Sequence, residues 1–426
     1  MDPAVLSLII LVIMAIFFVI DKVPMALVAM SGAVICVVLG LLPVENLFSA
    51  FSGNTIVLIT AMMVIGSSLF HTGLAEEMSK RLVKLTGTSE NGIMFSTVVV
   101  AALISSIASG VAVVAMLLPI VIGMSMKAKV SVSRQLIPLA FAASFGCNLT
   151  LLGAASNVVV SGQMETFGAE PLTFLGIGKV GLPILIVSLV YFMTIGKKFL
   201  TEGDSSDYEY LSAYMGSDKV DNSKEFNKKK ATLSLIILAV VLVTMIVGDK
   251  RFPLHIIATI GALLMVATNC ISEQEAYRSI DTSTLFIVSG MGAVSKAIDV
   301  SGGGKLLTNT IINFLGDNPS KFMVLLVIYV LTVILTNILM NTSTALLVTP
   351  LFIPLAQGIG MNTTAVGIAI CIAASSPFLS PVGSGTNTLV VRPGNLKFKD
   401  FFRPGLGLAI LIAIISLIVI PIAWPL

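Results

Sequence analysis

Gly383-Ser384-Gly385-Thr386-Asn387 stands 230 residues after Gly153-Ala154-Ala155-Ser156-Asn157, and the two pentapeptides share their first and last residues and small side chains between. The match extends outward. Pro350, which closes the apolar run Leu346-Leu347-Val348-Thr349, lies 231 residues after Pro119, which closes Ala115-Met116-Leu117-Leu118. Asp249-Lys250-Arg251-Phe252-Pro253 returns Asp21-Lys22-Val23-Pro24 at an offset of 228. Three offsets this close form a register. In an apolar chain, a fixed internal register indicates a duplicated membrane unit, the usual build of secondary transporters.

Composition fixes the class. The 426 residues are 56% hydrophobic and 11% charged, whereas a soluble domain carries about 25% charged residues. Residues 91–126 and 322–391 hold no charge at all, and about 20 apolar residues suffice to cross a bilayer. Cys36, Cys147, Cys270 and Cys371 sit in apolar segments without a CxxC pair and read as packing residues. The N-terminus has Asp2 and no basic stretch, so residues 4–20 read as a first span and not as a cleaved signal.

Full spans are expected at 4–20, 24–42, 54–72, 134–163 and 173–196, then at 232–248, 251–270, 282–300, 364–392 and 403–424. Residues 91–126 and 322–358 are each long enough for two helices, with no charged loop between them. Their midpoints are polar: Ser105, Ser106, Ser109 and Gly110 in one, Thr336, Asn337, Asn341, Thr342 and Ser343 in the other. A loop emerging into water should carry charge, so these read as re-entrant hairpins. Residues 74–85 and 305–314 are amphipathic and suit the interface. Residues 197–230 are too short and polar for a domain.

The expected architecture is an all-α integral membrane protein. Residues 1–200 form one repeat, 201–231 a linker and 232–426 a second repeat, with two re-entrant hairpins and two discontinuous helices. Five crossings per repeat force the second to enter inverted. This topology gathers 19 of the 25 Lys and Arg residues on the linker side, which puts the linker in the cytoplasm and both termini outside the cell (inner) membrane.

Four breaks stand near mid-membrane: Ser109-Gly110, Asn341-Thr342 and the two pentapeptides. Helices that start there aim free N–H groups at a cavity, which suits an anion, while carbonyl, Ser, Thr and Asn oxygens suit Na⁺. The competing reading is small-residue helix packing. The hairpins and broken spans, as drawn, hold no Asp or Glu, which speaks against a proton antiporter. His71, His255, Lys296 and Asp299 fall near span ends. Arg392 either anchors at the interface or draws anions inward. Tyr191 and Trp424 fit an aromatic belt. Gly302-Gly303-Gly304 reads as a turn, and no phosphate loop, metal cluster or nucleophile–base pair is present in the sequence.

Gly383 to Val390, followed by Pro393-Gly394 and Lys397-Phe398-Lys399-Asp400-Phe401-Phe402, closely resembles the last broken helix of the divalent anion/sodium symporters (DASS) of the wider ion-transporter superfamily. That family has a Ser-Asn-Thr signature at each hairpin tip. Here one tip reads Met340-Asn341-Thr342 and the other Ser109-Gly110-Val111, which keeps only the Ser. The resemblance implies an elevator-type homodimer in membrane lipid, with no nucleic acid. It implies one small anionic substrate, a dicarboxylate or sulfate-like ion, held by Ser109, Gly110, Asn157, Asn341, Thr342, Thr386 and Asn387. It also implies Na⁺ at Ser105, Ser109, Gly153 and Asn157, and again at Thr336, Asn341, Gly383 and Asn387. An anion exchanger, an efflux permease or cation/proton antiporter, and a channel are the competing readings; an enzyme is not expected.

The odd crossing count is testable by single-cysteine labelling in intact cells. Residues in the 201–231 linker should react from the face opposite the C-terminus; labelling of both from one face would mean an even count.

Overall fold

The computed structural model describes all residues except 1, 21, 74–76, 78–86, 88, 202–227, 248–251, 307–308 and 311–319. The described residues are helical or irregular, without strand. The expected linker, the interfacial stretch at 74–85 and part of that at 305–314 fall largely outside the described residues.

In chain order the helices are α1 (Pro3–Ile20), α2 (Met25–Val38), α3 (Asn54–His71), α4 (Glu90–Ser105), α5 (Gly110–Ala128), α6 (Ser133–Gly146), α7 (Ala155–Thr166) and α8 (Gly178–Met193). They continue as α9 (Lys228–Val247), α10 (Leu254–Ala267), the short α11 (Glu273–Ser279), α12 (Thr282–Ser301), α13 (Lys321–Thr336), α14 (Asn341–Gly358), α15 (Thr363–Ala374), α16 (Gly385–Val391) and α17 (Phe398–Ala423). Among the described residues, six helices are long and apolar enough to cross a membrane, and six apolar helices are shorter.

Three spans are shorter than expected. α8 has 16 residues, and α2 and α10 each have 14, about 21 Å of helix against a hydrocarbon core of about 30 Å. Proline sets the starts of α2 and α10, since Pro24 and Pro253 hold the N-cap positions. Left-handed residues stop both ends: Gly40 at φ 71° and Asn269 at φ 54°.

Residues 106–109 turn α4 back onto α5, and residues 337–340 turn α13 back onto α14. α6 does not continue straight into α7. Two single-turn 3₁₀ segments, Cys147–Leu149 and Leu151–Gly153, intervene. Between α15 and α16, residues 375–384 are non-helical.

Packing partners exchange between the halves. α2 packs on α12, and α10 packs on α3. α14 packs on α7, and α5 packs on α16. α1, α2, α3, α9, α10 and α12 form one group. The hairpins, the broken helices, α8 and α17 form a second, and α7 and α14 carry contacts between the two. α6 is buried along nearly its whole length, so the second group has its core around a helix apolar on every side.

Tyr191 is not in an interfacial belt. It is buried in α8, where its hydroxyl donates to Pro404 O at 2.7 Å, because a buried phenol needs an acceptor. Trp424 lies under the Lys179 ammonium, 5.2 Å from the ring centre. Lys296 and Asp299 pair on the half-exposed end of α12, and the four cysteines are free and buried.

Close approach makes one glycine a packing requirement. A Cβ on Gly146 would lie 2.3 Å from Ala102 Cα and 2.7 Å from its carbonyl oxygen, where α6 meets α4. Gly123 in α5 faces open space. Gly146→Val should therefore lower stability by about 1–3 kcal/mol, whereas Gly123→Ala should raise it by about 0.5–1 kcal/mol, both read as thermal unfolding in detergent.

Candidate functional site

Four helix starts meet at one cavity of about 540 Å³. Ser109 and Gly110 open α5, Ala155 and Ser156 open α7, Asn341 and Thr342 open α14, and Ser384, Gly385 and Thr386 open α16; all line it. Ser109, Ala154 and Met340, the residues before α5, α7 and α14, make no side-chain cap. The first N–H groups of those three helices thus lack an intrahelical partner and the positive dipole ends face the cavity. Ile59, Met62, Met63 and Phe70 of α3 close one side. Asp281 is the one charged side chain in the lining among the described residues.

Two asparagines hold the broken stretches in place. Asn157 Nδ2 donates to Cys147 O at 3.1 Å and Thr150 O at 3.4 Å. Asn387 Nδ2 donates to Pro377 O at 2.7 Å and Ser380 O at 2.9 Å. In both cases the acceptors lie ten and seven residues earlier. These carbonyls belong to backbone outside the α-helices, where the carboxamides stand in for ladder bonds, and Thr150 O accepts from Gly153 N at 3.5 Å as well. Both side chains are fully buried, and both Oδ1 atoms have no hydrogen-bond partner. Ser105 Oγ and Ser156 Oγ are likewise buried without a partner.

Backbone approach is equally close at the two breaks. A Cβ on Gly153 would sit 2.3 Å from Cys147 O and 2.7 Å from Ser105 O; one on Gly383 would sit 2.4 Å from Thr336 O. At the second turn, the Asn341 carboxamide faces three oxygens. With its nitrogen toward them it reaches Ala374 O at 3.1 Å, Thr336 Oγ1 at 3.2 Å and Gly383 O at 3.3 Å. With its oxygen toward them, it completes a four-oxygen cluster of the kind a hard cation takes. Buried acceptors without donors are the donor set expected of a Na⁺ site, so the residues present fit that ion.

Of the residues expected from sequence, Ser109, Gly110, Gly153, Asn341, Thr342 and Thr386 line the cavity. Ser105, Asn157, Thr336, Gly383 and Asn387 stand behind its wall. Arg392 is exposed and outside the lining. Ser156 and Ser384, within the two expected pentapeptides, line it too, as do Ser144 and Asp281, which the sequence does not single out. Ser156 was legible, since Ser156-Asn157 matches Thr386-Asn387 at the same offset. Ser144, inside a helix of apolar and small residues, gave no local signal. Asp281 caps α12, accepting from Ser283 N at 3.1 Å and Thr284 N at 3.3 Å. The broken helices are also not free of carboxylate: α7 runs on to Thr166 and carries Glu165 in its last turn. His71 pairs with Glu275 at 3.3 Å.

A family model described as "Citrate transporter" matches residues 15–342 and 297–425. The chain is 21% identical to the uncharacterized transporter YfbS of Escherichia coli, over 99% of this chain and 99% of that protein. It is 20% identical to the sodium-dependent dicarboxylate transporter SdcS of Staphylococcus saprophyticus, over 98% of this chain and 86% of that one. The crystal structure of the Alcanivorax borkumensis YdaH transporter superposes with a TM-score of 0.66 at 14% identity, covering 99% of this chain and 98% of that one. Neisseria gonorrhoeae MtrF gives 0.64 at 14% identity, with 99% and 95% covered.

Asn157→Ala and Asn387→Ala should each remove two hydrogen bonds to carbonyls of the broken stretches. Each should lower stability by at least about 1–3 kcal/mol, seen as an earlier thermal transition. Aspartate at either position, similar in size but without the donors, should not restore it.

Proposed function

The chain belongs to the citrate transporter family, whose members are integral membrane transporters and not enzymes, and from that premise we propose that it carries small divalent anions by Na⁺-coupled secondary active transport. The carrying observation is the cavity wall: α5, α7 and α14 present uncapped starts to one space that holds no basic side chain among the described residues. Peptide dipoles at helix starts favour an anion without a basic side chain. A dicarboxylate or sulfate-like ion fits this chemistry. The likeness to a sodium-dependent dicarboxylate transporter supports the same reading.

Two Na⁺ sites flank the anion. Ser105, Ser109, Gly153 and Asn157 hold one; Thr336, Asn341, Gly383 and Asn387 hold the other. The ion supplies positive charge next to the substrate and a partner for the unmet Oδ1 and Oγ atoms. The exchange of packing partners between the halves supports two inverted repeats, with residues 106–109 and 337–340 as tips of re-entrant hairpins. Contact between the two helix groups runs through α7 and α14, which supports an elevator motion of the hairpin group, and the resemblance to the symporter family adds a homodimer to this reading. The linker is cytoplasmic and the termini lie outside.

In proteoliposomes, an inward Na⁺ gradient should drive uptake of labelled succinate, citrate or sulfate, and Asn341→Ala should reduce it at least tenfold while the protein elutes and melts as the parent does. Equal uptake without Na⁺ would leave an exchanger; proton flux in a pH jump without anion uptake would indicate the antiporter.

A further inference from the structure

The two repeats diverge at one point of the cavity wall. By the 231-residue register, Gly110-Val111 stands at the first turn where Asn341-Thr342 stands at the second. Beyond Ser109, the first turn offers the cavity no side-chain donor. Its surroundings show why a larger residue is absent: a Cβ on Gly110 would lie 3.1 Å from Ala143 O and 3.2 Å from the Thr386 methyl. The vacated place belongs to Thr386, which brings its hydroxyl to 2.9 Å from Ser144 Oγ and 2.8 Å from Ser384 Oγ. All three hydroxyls are buried and all three line the cavity. Ser144 comes from the first repeat, the other two from the second.

We infer that Ser144, Thr386 and Ser384 act as one hydroxyl relay that grips an oxygen of the transported anion at the first-turn end of the cavity, doing there what Asn341 and Thr342 do at the other end. This rests on the transport reading above. Each hydroxyl has one proton to give. Ser384 Oγ already accepts from Thr386 N at 3.3 Å, and Ser144 is within 3.1 Å of Ala140 O in its own helix. In one direction Ser384 donates to Thr386, Thr386 to Ser144 and Ser144 to Ala140 O, so the cavity meets only lone pairs. In the other, Ser144 donates to Thr386, Thr386 to Ser384 and Ser384 to the ligand. Reversal exchanges the Ser144–Ala140 bond for one to the solute and moves no charge. A bond to an ionised oxygen is the stronger, so an anion selects the second direction. Ser384 is the contacting donor. Ser144 is a positioning residue that fixes the direction and polarises the run.

Full-length protein in proteoliposomes under a Na⁺ gradient, with labelled succinate, citrate and sulfate as probes, tests this. Ser384→Ala should raise KM for the carried probe about tenfold, and Ser144→Ala about threefold, with the maximal rate and the Na⁺ half-saturation at parental values. Ser384→Thr, which keeps both cap and donor, should keep the parental KM. The double variant Ser144→Ala/Ser384→Ala should match Ser384→Ala alone, because the relay has then lost its end. Parental KM in both single variants, or additive losses in the double variant, overturns the relay while leaving the transport reading intact. Failure of the parent to carry any of the three probes overturns the transport reading and the relay together.

Discussion

Backbone interrupted inside an apolar protein leaves carbonyls that water cannot reach, and the protein must meet each of them itself. Here the carboxamides of Asn157 and Asn387 do so, bridging carbonyls ten and seven residues back in each broken stretch. This one interaction makes the rest possible. It lets α6 and α15 end at the broken stretches, so that α7 and α16 can start at the cavity wall. It turns the far side of each amide, Oδ1, into a buried acceptor with nothing to accept. The glycines at 153 and 383 then bring the broken stretch against the last carbonyls of α4 and α13. Backbone support and an unmet acceptor reside in opposite ends of the same side chain.

Much of this was legible in sequence because it is periodic. The 228-to-231 register located both hairpin turns and both breaks, and the helices fall where the charge-free segments put them. The parts that escaped are not periodic. Ser144 sits in Ala142-Ala143-Ser144-Phe145, where a serine reads as packing until Thr386 is seen opposite. Sequence marks Asn157 and Asn387 as polar residues at a break, but not that their Nδ2 groups bind the broken backbone. The lengths of α2 and α10 depend on a proline at one end and a left-handed residue at the other, and hydropathy is blind to both. Asp281 and Glu165 fell just beyond the drawn boundaries.

Gly110 marks where the two halves matched by the register differ in side chain while keeping the same backbone turn. The turn, the break and the supporting amide are kept in both halves. Only the donors at the first tip change, and the space their absence opens is filled from the other half by the Thr386 methyl and hydroxyl. Side chains that face the cavity can change in this way while the backbone that presents them stays fixed, because the bonds of Asn157 and Asn387 that support it are made elsewhere.

The cavity wall draws its positive character from peptide N–H groups, and among the described residues its single charged side chain is Asp281, exposed at the start of α12. Peptide dipoles do not titrate. For the proposed anion carrier this leaves the acidity dependence of binding mainly to the solute, so that a weak polyprotic acid favours the pH at which its own second proton has left.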